Sequence, residues 1–295
     1  RNHLGATGRL GMMMGRETAI RMPFNDLRAL QGGLDGIAFC DMTNAIQHIR
    51  MVKSPAEQAK LTYICQLVSG VFADVPQWVK AGMPLDDLFR QFKIRALTAG
   101  VDDVSYLVGS AGPDGYQDII APPSSRPLAA GDVFMLDTGC VWDGYFSDFD
   151  RNFAIHHASD EAHETHHRLY DATQAAIDIL RPGVTAADLF FAMDAILRPD
   201  QHNSNQHEQI SAVKTGDDGV GRYGHGLGTQ LTEPPSHTDW DQTVITAGMT
   251  LTLEPSLGYG NGLTMVAEEN LLVLEDRVVL LSTRASRDLP VIPAW

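Results

Sequence analysis

Two aspartates lie eleven positions apart in a context that could bring their carboxylates together. Asp137 ends the apolar run "VFMLD", and Asp148 lies in "YFSDFD". A hairpin that turns near "WDGY" would place both carboxylates at the same point, because the chain reverses between them. Facing carboxylates repel each other unless a cation lies between them. The pair therefore indicates a cation site or, as the alternative, acidic residues of a turn and a surface.

Two glutamates and a histidine complete a set of possible metal ligands. Glu254 in "LTLEP" and Glu268 in "VAEEN" each follow apolar residues that should draw the backbone inside, and His225 lies between glycines in "GHGLG". Burial of four carboxylates costs far too much free energy without a metal or a proton to compensate. With the imidazole as a nitrogen ligand, the set predicts a site for two divalent ions, which could be Mn, Fe, Co or Zn.

The sequence around these five residues resembles the pita-bread metallopeptidases of family M24, such as methionine aminopeptidase, aminopeptidase P, prolidase and creatinase. The resemblance runs from about residue 50 to the end and rests on "GDVFMLDTG", "DGYFSDFDRNF", "GHGLG", "GMTLTLEP" and "AEENLLV". It implies an α+β fold in which helices flank a curved antiparallel sheet. It also implies the metal ligands Asp137, Asp148, His225, Glu254 and Glu268.

The same resemblance assigns further roles. Glu254 becomes a candidate base as well as a ligand, because one glutamate in such enzymes manages the proton of the attacking water. Glu269 is the alternative to Glu268 in a register shifted by one residue, although Glu268 aligns better with the ligand-bearing strand. Asp150 stands where the family usually has a small hydroxyl residue, and it is a candidate to support the ligands from behind.

Three positions depart from the pattern of the family's peptidases. Those enzymes carry a histidine seven residues after the ligand histidine, another about seventeen before the first aspartate, and an arginine two before the last glutamate. This sequence has Thr232, Ile120 and Val266 at these places. Loss of polar groups aimed at a developing oxyanion lowers peptide cleavage by orders of magnitude. An altered substrate is therefore expected.

Polar residues close to these three positions in the sequence predict a substrate pocket whose shape differs from that of the family's peptidases. "GPDGYQDI" contributes Tyr116, Gln117 and Asp118, and "TEPP" contributes Thr232 and Glu233. The alternative is that they are loop residues with satisfied hydrogen bonds. The candidate catalytic residues are Glu254, Thr232 and Glu233.

These observations predict a dinuclear metal-dependent hydrolase of the creatinase or prolidase type, acting on a C–N bond of an Xaa-Pro dipeptide, an amide or an amidine. The missing histidines favour, as an alternative, a metal-dependent lyase that acts on a small zwitterion. A third hypothesis is a non-catalytic pita-bread module that binds a partner. The complete ligand set favours an enzyme.

Helix signals set the frame for the site. Ser54 as N-cap, Pro55 at the first helical position and Glu57 three after the cap predict a long helix to about residue 82. A second helix should end at Gly100, and two more are predicted over 160–180 and 185–197. "HETHH" at 163–167 matches the zincin pattern, but it lies at the polar start of a helix and is interpreted as a solvated face. Helices followed by hairpins, without regular alternation, favour an α+β domain.

Length and composition bound the remaining possibilities. The 295 residues carry a formal net charge of −15, which opposes binding to nucleic acid. Apolar runs are too short for a membrane span, and three scattered cysteines suit a reducing compartment, so we expect a cytoplasmic protein.

Residues 1–52 are interpreted as the remnant of an N-terminal creatinase-type domain with a linker, and 53–295 as the catalytic domain. The opening at Arg1 suggests a fragment of a longer protein, and the resemblance implies a homodimer.

Overall fold

The computed structural model describes residues 8–15, 18–199 and 221–293, and the chain divides into two compact units, Arg1–Arg50 and Met51–Trp295. In the first unit two short strands pair in parallel, with Arg9 opposite Ala38. The interpretation of residues 1–52 as a domain remnant stays a prediction. The elements up to this boundary are β1 (Arg9–Met12), α1 (Phe24–Gly33), β2 (Ala38–Asp41) and α2 (Thr43–Met51).

The described residues of the second unit contain five helices, and two of them begin at predicted caps. Thr185 and Asp188 form a reciprocal capping box at the start of the helix Ala186–Leu197, as the sequence predicted. Within the described residues, none of the helices has both the length and the apolarity that crossing a bilayer requires. These helices are α3 (Pro55–Ala73), α4 (Val75–Trp78), α5 (Leu85–Ala99), α6 (Asp160–Ile179) and α7 (Ala186–Leu197).

The first of these helices is shorter than predicted. Ser54 and Glu57 form the expected capping box, but α3 ends at Ala73 and not near residue 82. The physical reason is Pro76, which has no N–H to donate to the preceding turn and so interrupts the hydrogen bonds of α3. The chain continues as the single turn α4.

Two sheets hold the predicted ligands: one is mixed, because β14 pairs with β6 in parallel, and the other is antiparallel throughout. One sheet has the order β14-β6-β5-β3, with β4 beside β5, and the other has the order β13-β12-β9-β7-β8, while β10 and β11 form a hairpin. The strands are β3 (Asp103–Val108), β4 (Ala111–Pro113), β5 (Asp132–Trp142), β6 (Tyr145–Ile155), β7 (His225–Gly226), β8 (Glu233–Ser236), β9 (Thr250–Leu253), β10 (Ser256–Tyr259), β11 (Leu263–Val266), β12 (Glu269–Val273), β13 (Val278–Leu280) and β14 (Val291–Ile292).

The apolar run before Asp137 is explained by burial of both faces of β5. Val133 and Met135 belong to one apolar cluster, which includes side chains of α6 and α7. Phe134 and Leu136 belong to another, which includes side chains of α3 and α5. Successive side chains of a strand point to opposite faces, so a strand covered on both sides is apolar throughout.

Two asparagines tie the sheets together beside the predicted ligands. The amide group of Asn270 at β12 donates to the backbone oxygen of Asp148 on β6, and its oxygen accepts the Asp148 N–H at 3.2 Å. Asn152 on β6 donates in the same way to the backbone oxygen of Val266. Buried amide groups with satisfied hydrogen bonds fix strand positions, so these contacts hold Glu268 against the β5–β6 hairpin.

In the "HETHH" segment, the residues of the zincin pattern, His163, Glu164 and His167, are partly or fully exposed, as predicted. His166, which is not part of that pattern, is buried with 5% of its surface accessible. Its Nδ1 lies 3.0 Å from the backbone oxygen of Arg287. Burial lowers the pKa of His166 from 6.5 to about 4. The ring is therefore neutral at pH 7 and belongs to the core.

We expect this histidine to make stability depend on pH. His166 binds a proton near pH 6.5 in the unfolded chain but only near pH 4 in the folded protein. Its contribution to the free energy of unfolding is therefore complete above pH 6.5. Up to about 3 kcal/mol of that free energy is lost as the pH falls from 6.5 to 4. In urea titrations between pH 7 and 4, His166→Gln should show a smaller pH slope of unfolding free energy than the wild type. Equal slopes for His166→Gln and the wild type would contradict this account.

Candidate metal centre

The β5–β6 hairpin brings three aspartates to one face, as the sequence predicted for two of them. Its turn is Asp143-Gly144, with φ of 46° and 81°, between the paired residues Trp142 and Tyr145. Positive φ at both central residues matches the strand twist and closes a two-residue hairpin. Asp137 lies directly opposite Asp150, and Asp148 lies opposite Gly139. Because opposite residues share a face, as do residues two apart, the three carboxylates project together.

His225 directs its Nε2 at the carboxylates. Its Nδ1 lies 2.9 Å from the backbone oxygen of Gly226, which assigns the proton of the neutral ring to Nδ1. Its Nε2 lies 3.5 Å from Asp148 Oδ2 and 3.3 Å from Glu254 Oε1. A hydrogen bond that fixes one ring nitrogen leaves the other with a lone pair, which is how histidine binds a metal.

The glycines around this histidine are required by close packing of β7. A Cβ at Gly224, whose φ is 147°, would lie 2.3 Å from the backbone oxygen of Thr252 and 2.3 Å from His237 Cδ2. A Cβ at Gly226 would lie 2.2 Å from the oxygen of Pro234. Contacts this short would displace backbone, so only glycine lets β7 pass between β8 and β9.

The two glutamates complete the cluster from the second sheet. Glu254 follows β9, and its N–H donates to the oxygen of Tyr223 at 3.0 Å. Glu268 precedes β12, and it offers a carboxylate oxygen within 4.8 Å of ligand atoms of Asp148 and His225. The remaining predicted ligands, Asp137 and Glu254, line the same pocket, which has a volume of about 260 Å³.

The neighbouring Glu269 is held away from this cluster. Its carboxylate accepts from Ser282 Oγ at 2.5 Å and from Ala285 N at 2.8 Å, and it forms an ion pair with Arg151 at 3.2 Å. Its charge is thus compensated by protein groups, whereas Glu268 Oε1 is buried and has no hydrogen-bond partner in the described part of the chain. The geometry therefore favours Glu268 over Glu269 as the residue that faces the pocket.

The acidic cluster is electrostatically incomplete on its own. Burial raises the pKa of Asp137, Asp150 and Glu268 well above the ordinary carboxyl value, and the other carboxylates add to the shift. Burial also raises the pKa of Asp148 to about 6, although its hydrogen bond to His225 opposes the change. Burial of these carboxylates in charged form is unfavourable without a cation, and a divalent ion would compensate their charge.

The donor set fits a divalent metal ion. Carboxylate oxygens with one imidazole nitrogen suit Mn, Fe, Co or Zn. Two buried oxygens in the cluster, Asp150 Oδ1 and Glu268 Oε1, have no hydrogen-bond partner among the described residues. Buried polar atoms are rarely left unpaired unless they serve an ion, a water or a reaction. Together, these features match a metal centre better than a structural acidic cluster.

Two residues of the pocket have no strong sequence signal. Tyr106 lies in the lining and shares a hydrogen bond with Asp137, which lowers the pKa of that carboxyl against the effect of burial. Arg222 also lies in the lining, with its Nε 3.4 Å from Glu254 Oε1. Arg222 precedes β7, and its place three residues before His225 was the available sequence signal.

The predicted substrate-pocket residues lie mostly elsewhere. Tyr116 is buried, and its hydroxyl donates to Asn152 Oδ1 at 2.7 Å and accepts from Val266 N at 3.1 Å. Gln117 and Asp118 are exposed, and the described lining of the pocket contains Ile119 and Ile120 from this segment but none of these three predicted residues. The hydroxyl of Tyr116 therefore links β6 to β11 through these two hydrogen bonds.

Thr232 and Glu233 have different surroundings. Thr232 lines the pocket and accepts from Arg222 Nη2 at 3.4 Å. Glu233 is 3% exposed, forms an ion pair with Lys53 at 3.2 Å, and accepts from Gln230 N at 3.1 Å. The catalytic role of Glu233 stays a prediction, and its contacts show that it anchors the loop that carries Thr232.

Comparison with known proteins finds one matching family profile and several relatives. The profile described as metallopeptidase family M24 matches residues 59–280. A probable dipeptidase PepE of Mycobacterium tuberculosis is 27% identical over 252 residues, which are 85% of this chain and 63% of that protein. An Xaa-Pro dipeptidase of Lactobacillus delbrueckii subsp. lactis is 27% identical over 255 residues, which are 86% of this chain and 65% of that protein. The chain thus spans slightly less than two thirds of these relatives.

Solved structures show the same fold. The dipeptidase PepE of Mycobacterium ulcerans superposes with a TM-score of 0.80 at 26% identity, over 98% of this chain and 72% of that one. A recombinant prolidase of Thermococcus sibiricus gives a TM-score of 0.83 at 21% identity, over 99% of this chain and 74% of that one. The predicted α+β pita-bread fold is therefore confirmed.

Proposed function

The chain belongs to metallopeptidase family M24, and on this premise we propose that it is a dinuclear metal-dependent hydrolase that cleaves a C–N bond in a dipeptide or another small substrate. The observation that carries the proposal is the convergence of Asp148, His225 and Glu268 within 4.8 Å. Asp137 and Glu254 in the same pocket extend the donor set to the size that a pair of ions needs. The names of the two curated relatives support a dipeptide as the substrate.

The five metal ligands as a set and Glu254 as a base would have different roles in hydrolysis. Divalent ions held by the five ligands would polarise a carbonyl group and make water a better nucleophile at neutral pH. Glu254 keeps 17% of its side chain accessible, so it can meet a water molecule in the pocket. We infer that it accepts a proton as this water adds to the carbonyl carbon, and donates it to the nitrogen as the C–N bond breaks. One water is consumed, and an acid and an amine are released.

A direct assay tests this proposal. The purified chain, incubated in turn with Mn²⁺, Co²⁺ and Zn²⁺, is expected to release free amino acids from a panel of dipeptides that includes Xaa-Pro sequences. A chelator should abolish the release, and added metal should restore it. Absence of hydrolysis with every metal and every dipeptide would overturn the proposal for this chain.

A metal-assisted lyase is the second candidate. Its support is that Ile120, Thr232 and Val266, which stand where the resemblance implies two histidines and an arginine in the family's peptidases, all line the pocket. A lyase would remove a proton from carbon and expel a leaving group without consuming water. Reaction in ¹⁸O-labelled water separates the two, since hydrolysis places the label in the carboxylate product and elimination does not.

A further inference from the structure

A second cavity, of about 200 Å³, lies at the edge of β6 and shares one described residue, Asp150, with the pocket of the predicted ligands. β14 pairs with the last two residues of β6. The segment 283–290 covers the preceding part of the strand, where Arg151 donates from Nη2 to the backbone oxygen of Thr283 at 3.1 Å. An apolar cavity of about 150 Å³ holds one benzene molecule, so this space has room for one small ring.

The walls of this second cavity are mainly apolar and are held in place from behind. Phe72 of α3 belongs to the lining and stacks on Phe149, with ring centroids 5.5 Å apart. Phe153 of β6 also belongs to the lining and stacks on Phe134 at 5.3 Å. Three residues of the lining are exposed and give the cavity a mouth: Ala73, Thr283 and Ser286. The cavity is therefore preformed, open to solvent and suited to an aromatic ligand.

His166 gives this lining a hydrogen-bond acceptor. Its Nδ1 lies 3.0 Å from the backbone oxygen of Arg287, and a carbonyl oxygen only accepts, so Nδ1 carries the proton. The ring is neutral at pH 7, because burial lowers its pKa to about 4, and Nε2 therefore keeps a lone pair. In the described part of the chain no group donates to Nε2, yet Nε2 is not one of the unpaired polar atoms that the protein encloses completely. It thus keeps surface that a ligand can reach.

The charged side chains of the lining are engaged elsewhere. Arg151 donates to the backbone oxygen of Asp150 at 2.9 Å and forms its ion pair with Glu269 at 3.2 Å. Arg284 donates from Nη2 to Thr173 Oγ1 at 2.8 Å, while its Nε and Nη1 are enclosed by protein. The two arginines disfavour a positive ligand, and a carboxylate would face the lone pair of the histidine. A neutral ligand that donates a hydrogen bond fits this lining best.

We propose that this cavity is a second binding site of the protein, for a small neutral phenol whose ring contacts Phe72 and Phe153 and whose hydroxyl donates to His166 Nε2. A phenol combines the aromatic ring, the hydrogen-bond donor and the absence of charge that the lining requires. The site lies apart from the metal centre, so the inference does not depend on the proposed hydrolase function.

Titrations of the whole chain with phenol, toluene and benzoate, followed by NMR with and without Zn²⁺, test the inference. The wild type should bind phenol with the same affinity in both forms and should bind benzoate more weakly. His166→Asn keeps an amide N–H for the oxygen of Arg287 but removes the acceptor at Nε2. It should weaken phenol binding about 5- to 100-fold, the cost of a buried donor left unpaired, and should bind toluene at least as tightly as the wild type does.

Two matched variants complete the test. His166→Gln places an amide near the position of Nε2 and should keep part of the affinity for phenol. His163→Asn makes the same change one turn earlier on α6, at a residue that does not belong to the described lining, and should bind phenol as the wild type does.

Several outcomes would overturn the inference. It is wrong if the wild type binds no phenol, if benzoate binds more tightly than phenol, or if binding of phenol requires Zn²⁺ and so takes place at the metal centre. Equal affinities of His166→Asn and the wild type for phenol would also contradict it. Retained binding of toluene by His166→Asn, with thermal unfolding of each variant, separates a lost hydrogen bond from a lost fold. The dipeptide assay decides the hydrolase proposal independently of these results.

Discussion

Asp148→Ala is expected to lower dipeptide hydrolysis by at least about a thousandfold, because it removes a carboxylate from the centre of the proposed ligand set. Asp148 is 5% exposed, and it lies in the group with His225 and Glu268. Its removal takes one charge out of a cluster whose members raise each other's pKa. The metal-free variant should therefore be at least as stable as the metal-free wild type, while the loaded wild type should gain stability that the variant does not.

A neighbouring aspartate provides the control. Asp103 on β3 is exposed and accepts from Ser105 at 2.7 Å, so Asp103→Ala should keep wild-type activity and wild-type stabilisation by metal. The assay compares kcat/KM for the best dipeptide, and thermal unfolding is followed with and without Mn²⁺. An Asp148→Ala protein that keeps more than a tenth of the activity would contradict the assignment of this carboxylate.

Lys53→Met is expected to lower the free energy of unfolding by about 3–5 kcal/mol, because it removes one partner of a buried ion pair and keeps the buried charge of Glu233. Lys53 and Glu233 have side chains with 2% and 3% exposure, and their charged atoms lie 3.2 Å apart. The pair joins the start of α3 to the loop that carries Thr232, so the variant should also lower activity. Urea unfolding at pH 7 measures the change in stability.

Two further variants show whether the buried charge is the cause. The double variant Lys53→Met with Glu233→Gln should regain most of the lost stability, since neither charge remains. Lys60→Met breaks an ion pair with Asp143 whose side chains are 34% and 57% exposed, and it should cost no more than about 1 kcal/mol. Equal losses for Lys53→Met and Lys60→Met would show that burial of this pair does not matter to stability.

The hairpin and its acids could be predicted from the sequence because the relevant rules are local. An apolar run, Asp143-Gly144 and a second strand determine the turn, and the period of two then places Asp137 and Asp148 on one face. The capping signals at Ser54 and Thr185 likewise act over three residues and gave correct helix starts. The glycines around His225 can be seen in the sequence, but the reason for them cannot. They are needed because β7 packs closely against β8 and β9, which only the folded structure shows.

Partners distant in sequence could not be read from local pattern. Glu233 forms an ion pair with Lys53, which lies 180 positions earlier in the sequence. No short motif predicts an ion pair of that sequence separation. His166 is polar and sits in a polar stretch, yet the segment that includes Arg287 covers it. Tyr116 is a plausible pocket residue by type, but its hydroxyl completes the tie between Asn152 and Val266. Such roles depend on tertiary packing, which residue type and spacing leave open.

Metal content tests the central claim most directly. Elemental analysis of the chain purified without chelators, then supplied in turn with Mn²⁺, Fe²⁺, Co²⁺ and Zn²⁺ and freed of excess ions, is predicted to show about two ions per chain for a metal that the site accepts. Asp148→Ala should lose them. Absence of bound metal from the wild type after every treatment would contradict the metal centre, and with it the hydrolase built on that centre.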